Sequence, residues 1–364
     1  MRTLCSALTA IMVFAVLLTS CEKKENSYQS PTILTREMKA KLEAAADSVF
    51  LQVWTPGMIA YFSVEGEGDY IITRGVSNLQ TGEPMSLNHY YRIASNTKMF
   101  TCLAVLRLAD QGLVCIDSTI GFYLPGRNIP NGNRITVRNL ANMTSGLFSY
   151  TSDTALPGQL SKSQFLANFP PDTLLAWAFR HPVSFDPGTR HDYCNTNTVL
   201  LGLLLEKLSG MPAGDAINEL VIRPMGLRHT YWPNTIFLFQ PYLHGYTAGY
   251  GTFTEATNWN PSWGYTAGQI ISTIPDMKIF INNLANGTLL SEKMRSEQLR
   301  WAFDYGFGLM KTGNWIGHSG IISGYNSHTF YNTVKHITLI ILVNMDTATP
   351  VEQFSEVFRN ILDP

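Results

Sequence analysis

One apolar segment limits how this chain of 364 residues can fold. We predict a helix from about Ser95 to about Asp110, and nearly every position within it is apolar. Gly112 follows, and glycine is the residue most often found just past a helix end. Because a helix that is apolar on all sides is buried on all sides, this one should be the central helix of the fold. Burial would also remove water from Lys98, and desolvation lowers the pKa of a lysine.

Ser95 stands at the start of this helix, directly after a short apolar lead-in. Residues three apart on a helix are neighbours, so the Lys98 ammonium can reach the Ser95 hydroxyl. The positive end of the helix dipole also favours a developing alkoxide. We therefore interpret Ser95 as a nucleophile and Lys98 as the base that activates it. The pattern is weak when it stands alone, because Ser20 and Lys23 repeat it by chance.

The two ends of the chain carry strands and helices, whereas the middle carries mostly helices. Apolar periodicity predicts terminal helices at residues 35–53 and 350–362. Strands are predicted at residues 58–64, 70–76, 307–311, 315–318, 325–331 and 336–344. We therefore expect an α+β fold (an α/β sandwich): one antiparallel sheet flanked by the N- and C-terminal helices, with a mostly helical lobe inserted at about residues 100–300. The cleft between sheet and lobe is the expected ligand site.

The N-terminus has the features of a secretion signal. Arg2 precedes an apolar run, residues 7–18, that is too short for a membrane span. The run ends in Leu18-Thr19-Ser20-Cys21, which resembles the site of a bacterial lipoprotein signal, where the cysteine carries the lipid. The alternative is an ordinary cleaved signal with an incidental cysteine. We predict three parts: a signal peptide (1–20), a polar tether (21–34) and one folded domain (35–364). A lipid at Cys21 implies a bacterial envelope protein on the periplasmic side of a membrane.

Charge and cysteine content exclude some classes of function. Lys and Arg total 26 against 27 Asp and Glu, so the composition gives no sign of a nucleic-acid partner. Beyond Cys21, an odd number of cysteines without metal-type spacing remains: Cys102, Cys115 and Cys194. We expect three buried thiols, with a Cys102–Cys115 disulfide as the alternative. We expect neither a metal nor another cofactor, and a monomer.

A second candidate element is Tyr193-Cys194-Asn195, the only Tyr-x-Asn in the sequence. It follows a Pro-Gly turn and precedes an apolar helix, so a loop would present the Tyr193 and Asn195 side chains. A phenol beside a lysine can pass a proton to a leaving group. An amide can hold a substrate carbonyl. Alone, the more ordinary interpretation is a buried tyrosine and a capping asparagine.

The third element is His318-Ser319-Gly320, which we place within a strand. His318 and Ser319 are candidates for binding a substrate carboxylate or for helping proton transfer, and a glycine on an edge strand lets a substrate backbone come close. A competing triplet, Lys311-Thr312-Gly313, has the same glycine spacing. We reject it because a strand stands on each side of it, which predicts the tip of a hairpin.

Together the three elements resemble the motifs of the serine β-lactamase and penicillin-binding-protein superfamily. A related set is known for the class A enzymes, with Ser-Asp-Asn as the second motif. Tyr-x-Asn in that position resembles the class C branch and its D-alanyl-D-alanine carboxypeptidase and esterase relatives. A histidine at the third motif, where class C β-lactamases usually show Lys-Thr-Gly, favours the peptidase or esterase side. The likeness runs from about residue 35 to the C-terminus.

The resemblance implies a two-step acyl transfer without a cofactor. Ser95 would attack a carbonyl, Lys98 would take its proton, and Tyr193 would serve the leaving group and later the water. Asn195 and the 318–320 triplet would bind substrate, and the backbone N–H groups of Ser95 and Ile321 would form the oxyanion hole. The first expectation is carboxypeptidase action on peptidoglycan-type stem peptides. The alternatives are a β-lactam or small-ester substrate.

Other readings of the sequence are weaker. An α/β-hydrolase needs Gly-x-Ser-x-Gly, and Gly317-His318-Ser319-Gly320-Ile321 lacks the last glycine. No His-Glu-x-x-His of a metalloprotease occurs. A non-enzymatic alternative is a penicillin-acylated sensor or binding lipoprotein with slow turnover. A binding protein has no need of Ser95, Lys98 and Tyr193 together, which argues for an enzyme.

Overall fold

A computed structural model describes residues 32–52, 54–346 and 348–364. The predicted signal peptide, Cys21 and most of the tether lie outside these residues. Strands β1 to β11 are, in chain order, Gly57–Val64, Gly68–Asn78, Glu83–Pro84, Tyr91–Arg92, Tyr246–Thr247, Thr254–Glu255, Ile271–Ser272, Met310–Thr312, Trp315–Ile322, Tyr325–Asn332 and Ile337–Val343.

Helices α1 to α12 are, in chain order, Arg36–Gln52, Thr97–Asp110, Ile120–Tyr123, Val137–Ala141, Leu156–Lys162, Pro171–Phe179, Asn195–Ser209, Ala213–Ile217, Tyr265–Gly268, Ile274–Asn286, Glu292–Gln298 and Ala348–Leu362. In the described part of the chain, 3₁₀ turns occupy Ala94–Asn96, Tyr150–Ser152 and Pro261–Gly264, and a π-helical turn occupies Asn218–Ile222.

One antiparallel sheet joins the two ends of the chain. Its strand order is β3-β2-β1-β11-β10-β9-β8, so the first long strand pairs with the last one. Every residue of β1 and β11 is buried, as expected for central strands that are covered on both faces. The predicted α+β architecture is confirmed.

The two faces of the sheet belong to two hydrophobic clusters, and alternate residues of each strand enter each cluster. Met58, Ala60 and Phe62 pack with Phe354 and Phe358 under the terminal helices α1 and α12. The intervening residues of β1 and the β11 residues Ile340 and Leu342 join the larger cluster on the lobe side. The sheet therefore separates a layer of terminal helices from the helical lobe.

Helix α2 is the central helix of that lobe, as its composition predicts. All residues from Thr97 to Leu106 are buried, and so is Leu108. The ring of Phe100 stacks on that of Phe280 in α10, with centroids 3.6 Å apart. A helix enclosed in this way gives Lys98 a rigid and dry position.

Two smaller predictions have different outcomes. The rejected triplet at residues 311–313 does end in a hairpin turn, because β8 and β9 pair on either side of Gly313 and Asn314. Cys102 and Cys194 are buried free thiols as expected, but the prediction for Cys115 is wrong because that free thiol is exposed. Cys115 lies in the loop after α2, where its backbone is anchored through the Tyr123 hydroxyl and the Ser118 N–H while its side chain is exposed. No helix in the described part of the chain is long and apolar enough to cross a membrane.

Candidate active site

A sharp turn presents Ser95 at the entrance to α2. Strand β4 pairs with β7 and fixes the segment that leads into the turn. Ala94 then adopts a left-handed backbone conformation with φ 51°, which costs a non-glycine residue about 1 kcal/mol. The 3₁₀ turn over Ala94–Asn96 follows, and α2 begins at Thr97. Ser95 therefore sits at the positive end of a buried helix, on a strained turn that the surrounding structure holds in place.

Lys98 lies beneath Ser95, one turn into the helix. Its Nζ is 2.9 Å from Ser95 Oγ and 2.8 Å from the carbonyl oxygen of Ala267 in α9. The side chain is fully buried. Burial lowers the pKa of Lys98 to about 7, and weaker attractions to the Cys102 and Cys194 thiols act in the opposite direction. A neutral amine can keep one N–H bond to Ala267 and offer its lone pair to the Ser95 proton.

Tyr193 closes the other side of this pair. Lys98 Nζ lies 4.9 Å from the centre of the Tyr193 ring, and Tyr193 lines the same cavity as Ser95. Burial of the phenol raises the pKa of Tyr193, which its interaction with the Ser95 side chain offsets only in part. At neutral pH the phenol therefore keeps its proton, and Lys98 is the group that titrates.

The segment before α7 brings alternate side chains to the same cavity. His191, Tyr193 and Asn195 all line it, because alternate residues of an extended segment point the same way. Cys194 points away from the cavity, and its thiol contacts the carbonyl oxygen of Leu147 at 3.2 Å. Asn195 Nδ2 donates to Thr151 Oγ1 at 2.9 Å, which orients the amide at the cavity wall.

Strand β9 forms the opposite wall with the same alternation. Ser319 and Ile321 line the cavity. His318 and Gly320 fall on the other face, where both are buried. A Cβ on Gly320 would lie 2.4 Å from the Ile93 carbonyl oxygen. The close approach that this glycine allows is therefore to the protein's own Ser95 turn, rather than to a substrate backbone as the sequence led us to expect.

His318 is placed differently from the sequence-based expectation of direct substrate contact. It is buried and does not line the cavity. Its Nδ1 contacts the Ser319 carbonyl oxygen, and its Nε2 lies 2.8 Å from the hydroxyl of Tyr305. Because a carbonyl only accepts, Nδ1 carries the proton and Nε2 accepts from Tyr305. Burial, followed by repulsion from Lys98, lowers the pKa of His318 to about 3, so the ring is neutral and both nitrogens are occupied.

The cavity between these walls has a volume of about 340 Å³. Its lining residues are Ser95, His191, Tyr193, Asn195, Tyr305, Met310, Ser319 and Ile321. The structure thus brings together the predicted Ser95, Tyr193, Asn195, Ser319 and Ile321, with Lys98 directly behind Ser95. No group of three or more His, Cys, Asp or Glu side chains in the described residues is arranged to hold a metal ion.

Three lining residues were not predicted from the sequence. His191 had a usable signal, since it stands two positions before Tyr193 in an extended segment. Tyr305 and Met310 had none, because they come from the loop before β8 and from β8 itself. Only tertiary packing brings these two residues beside Ser95.

The chain is similar to known proteins over most of its length. The family model described as Beta-lactamase matches residues 35–358. The crystal structure of a D-stereospecific amidohydrolase from Streptomyces sp. superposes with a TM-score of 0.77 at 30% identity, covering 88% of this chain and 96% of that one.

Two curated relatives match over shorter stretches. Esterase EstB of Burkholderia gladioli is 30% identical over 199 residues, which is 52% of this chain and 50% of the esterase. A putative D-alanyl-D-alanine carboxypeptidase of Salmonella typhimurium is 25% identical over 164 residues, which is 44% of this chain and 36% of that protein. The matches thus span half or less of these relatives. Since the family model covers nearly the whole described fold, this chain belongs to the beta-lactamase family of serine hydrolases.

Proposed function

We propose that the protein hydrolyses small uncharged esters or amides through an acyl-enzyme on Ser95. The observation that carries this proposal is the buried contact of 2.9 Å between Lys98 Nζ and Ser95 Oγ. A lysine whose pKa is lowered to about 7 by burial is matched to proton transfer at neutral pH. Serine without such a partner is a weak nucleophile.

The proposed reaction has two halves. Ser95 Oγ bonds to the substrate carbonyl carbon while its proton passes to Lys98 Nζ. The Tyr193 hydroxyl then gives its proton to the departing group as the carbonyl reforms, and it is reprotonated by way of Lys98. In the second half a water attacks the acyl carbonyl carbon and gives up its proton to Lys98 by way of Tyr193. The bond to Ser95 Oγ then breaks, the acid departs, and Lys98 returns the proton to Ser95 Oγ.

The strand register supports the proposed oxyanion hole. Ile322 pairs with Tyr325 across a two-residue turn, and Ile321 pairs with Asn326. In such a hairpin the residues that flank the turn form the hydrogen-bonded pair, so the N–H of Ile321 points away from β10. On that side β8 pairs with β9 only as far as Gly317. The Ile321 N–H is therefore unpaired with β8 or β10 and points to the open edge of the sheet, where Ile321 and Ser95 line the same cavity. Losing such a donor typically costs about 3 kcal/mol of transition-state stabilisation.

The cavity lining supports an uncharged substrate. Its eight described residues include no Arg, Lys, Asp or Glu. Lys98 is committed to Ser95 and Ala267, and Lys311 lies over the Trp301 ring, 5.5 Å from its centre. A substrate carboxylate bound here would lose water without gaining a cation, which is costly. Esters and amides without a free carboxylate avoid that cost.

A carboxypeptidase acting on peptidoglycan-type peptides is the second candidate. The Tyr-x-Asn arrangement at Tyr193 and Asn195 and the carboxypeptidase relative favour it. Its substrate ends in a carboxylate, and the described cavity lining has no Arg or Lys to pair with that charge. A slow, penicillin-acylated binding protein would share the same acyl-enzyme and differ only in its rate of deacylation.

One substrate panel separates these candidates. We expect kcat/KM for p-nitrophenyl butyrate and for an N-acetylated D-amino acid amide to exceed that for a D-Ala-D-Ala peptide by about a hundredfold or more. Nitrocefin is the β-lactam arm, and a burst without turnover would identify the binding-protein alternative. Preference for the peptide would overturn the uncharged-substrate proposal and leave the acyl-enzyme in place.

The location of the protein is also a proposal. The short apolar run that ends in Cys21 supports a lipid anchor on the periplasmic side of a bacterial membrane. The domain limits given by the sequence and the monomeric state remain predictions.

A further inference from the structure

We propose that Tyr305 sets the size of the substrate group that the Ser95 cavity accepts, and that His318 is a positioning residue that holds Tyr305 there. This inference rests on the proposed acyl-enzyme function. It assigns the histidine of the third motif a role that acts through a neighbouring side chain.

Tyr305 is an aromatic wall of the cavity and packs against His318, whose ring centre is 5.8 Å from that of Tyr305 and 5.9 Å from that of Tyr193. Tyr305 is 2% exposed and lines the cavity with Ser95 and Tyr193. Its ring centre is 6.3 Å from that of Tyr193 and 5.5 Å from that of His191. An acyl group that is bound to Ser95 Oγ and extends towards β8 therefore meets the face or edge of the Tyr305 ring.

The hydrogen bond to His318 fixes the wall from behind. The Tyr305 hydroxyl donates to His318 Nε2 at 2.8 Å, and the opposite nitrogen donates to the Ser319 carbonyl. Because both partners are buried, leaving either group unpaired would cost about 1–3 kcal/mol. His318 thus ties the position of Tyr305 to β9, the strand that carries Ser319 and Ile321 at the cavity.

The backbone beside Tyr305 is equally constrained. Gly308 has a φ of 76°, and a Cβ there would lie 2.5 Å from Cβ of Cys102 in α2. The Gly308 N–H donates to the Ala141 carbonyl at 3.0 Å, and the Phe307 N–H donates to Gln298 at 3.1 Å. The loop is therefore held against the same helix that carries Lys98. A wall on such a loop has little freedom to retreat from a longer substrate.

The test compares kcat/KM for p-nitrophenyl octanoate with that for p-nitrophenyl acetate. Tyr305→Ala removes the ring and is expected to raise the octanoate-to-acetate ratio about tenfold or more over wild type. Tyr305→Phe keeps the ring and removes only the hydrogen bond, so we expect a rise of about threefold. Thermal unfolding of each variant shows whether it is folded. If Tyr305→Ala is unfolded, the ratio measured for Tyr305→Phe tests the inference.

The role of His318 has its own pair of variants. His318→Leu removes the acceptor and should raise the ratio as Tyr305→Phe does, whereas His318→Gln keeps an acceptor oxygen and should return the ratio towards wild type. The same ratio can be taken from the rates at which short- and long-chain fluorophosphonates phosphonylate Ser95 with loss of fluoride, so it can be measured without ester turnover.

Two results would overturn the inference. An unchanged ratio in the Tyr305 variants removes Tyr305 as the size-setting wall, and equal effects of His318→Leu and His318→Gln remove His318 as its support. Failure of the proposed function gives a different result. In that case the wild-type protein forms no covalent adduct on Ser95 with either the p-nitrophenyl esters or the fluorophosphonates.

Discussion

The pH dependence of acylation tests the role of Lys98 most quantitatively. Burial lowers the pKa of Lys98 from its usual value near 10.5 to about 7, a difference worth roughly 5 kcal/mol. At pH 7.5 about three quarters of such lysines are neutral, against about one in a thousand at a pKa of 10.5. Burial therefore enlarges the population of active base several hundredfold.

The predicted profile follows from this value. For p-nitrophenyl butyrate, kcat/KM should rise about fiftyfold between pH 5 and pH 7 and then level off, because only the neutral amine accepts the Ser95 proton. Burial raises the pKa of Tyr193, so no descending limb is expected below about pH 9. His318, whose pKa is lowered to about 3, contributes nothing in this range.

Folding stability should respond to Lys98 in the same direction. Its pKa is lower in the folded chain than in the unfolded chain, so the unfolded state binds more protons between about pH 7 and 10.5. The contribution of Lys98 to stability therefore improves as pH rises through this window. This change in stability is separate from the rise in kcat/KM, which comes from deprotonation of Lys98 in the folded protein.

Lys278 provides a matched control. It lies in α10, outside the cavity lining, and pairs with Asp69 of β2 at 2.8 Å, and its pKa is raised. Lys278→Met should leave the profile unchanged, whereas Lys98→Arg, which retains the charge and cannot supply a neutral base, should lose the activity. A wild-type midpoint above pH 9, or a flat profile from pH 5 to 9, would refute the assignment of Lys98.

Two further outcomes are expected. Gly320→Ala should lower kcat/KM about a hundredfold, because the new Cβ would sit 2.4 Å from the Ile93 carbonyl oxygen and displace β9 from the Ser95 turn. The control Gly158→Ala, in α5 with open space around it, should leave activity unchanged, and equal rates for the two variants would contradict the packing argument. Cys21→Ser should release the full-length protein from the membrane fraction and abolish palmitate incorporation, and continued lipid labelling of this variant would exclude Cys21 as the anchor site.

Much of the fold follows from patterns that the sequence displays directly. The largely apolar α2 had to be enclosed, and its burial accounts for the low pKa of Lys98. The continuous apolar run in β11 required helices on both faces of the sheet. The short strands β3 to β7 were not predicted, since two-residue pairings leave no periodic signal.

Alternation of side chains along extended segments determines part of the cavity lining. Side chains alternate along a strand, so His318 and Ser319 could not both face the cleft. The same rule, applied around Tyr193, would have added His191. Tyr305 was beyond such reasoning, because its place beside Ser95 is set by packing of a loop against α2. The exposure of Cys115 likewise depends on how another loop, the one that follows α2, lies over the surface.

The most direct test of the central claim is peptide mapping of the protein after reaction with a fluorophosphonate. We expect one covalent adduct in the cavity, on Ser95. Its formation should be lost in Ser95→Ala, and its rate should follow the titration of Lys98 with pH. An adduct on Ser319, the other serine that lines the cavity, or undiminished labelling of Ser95→Ala, would contradict the claim.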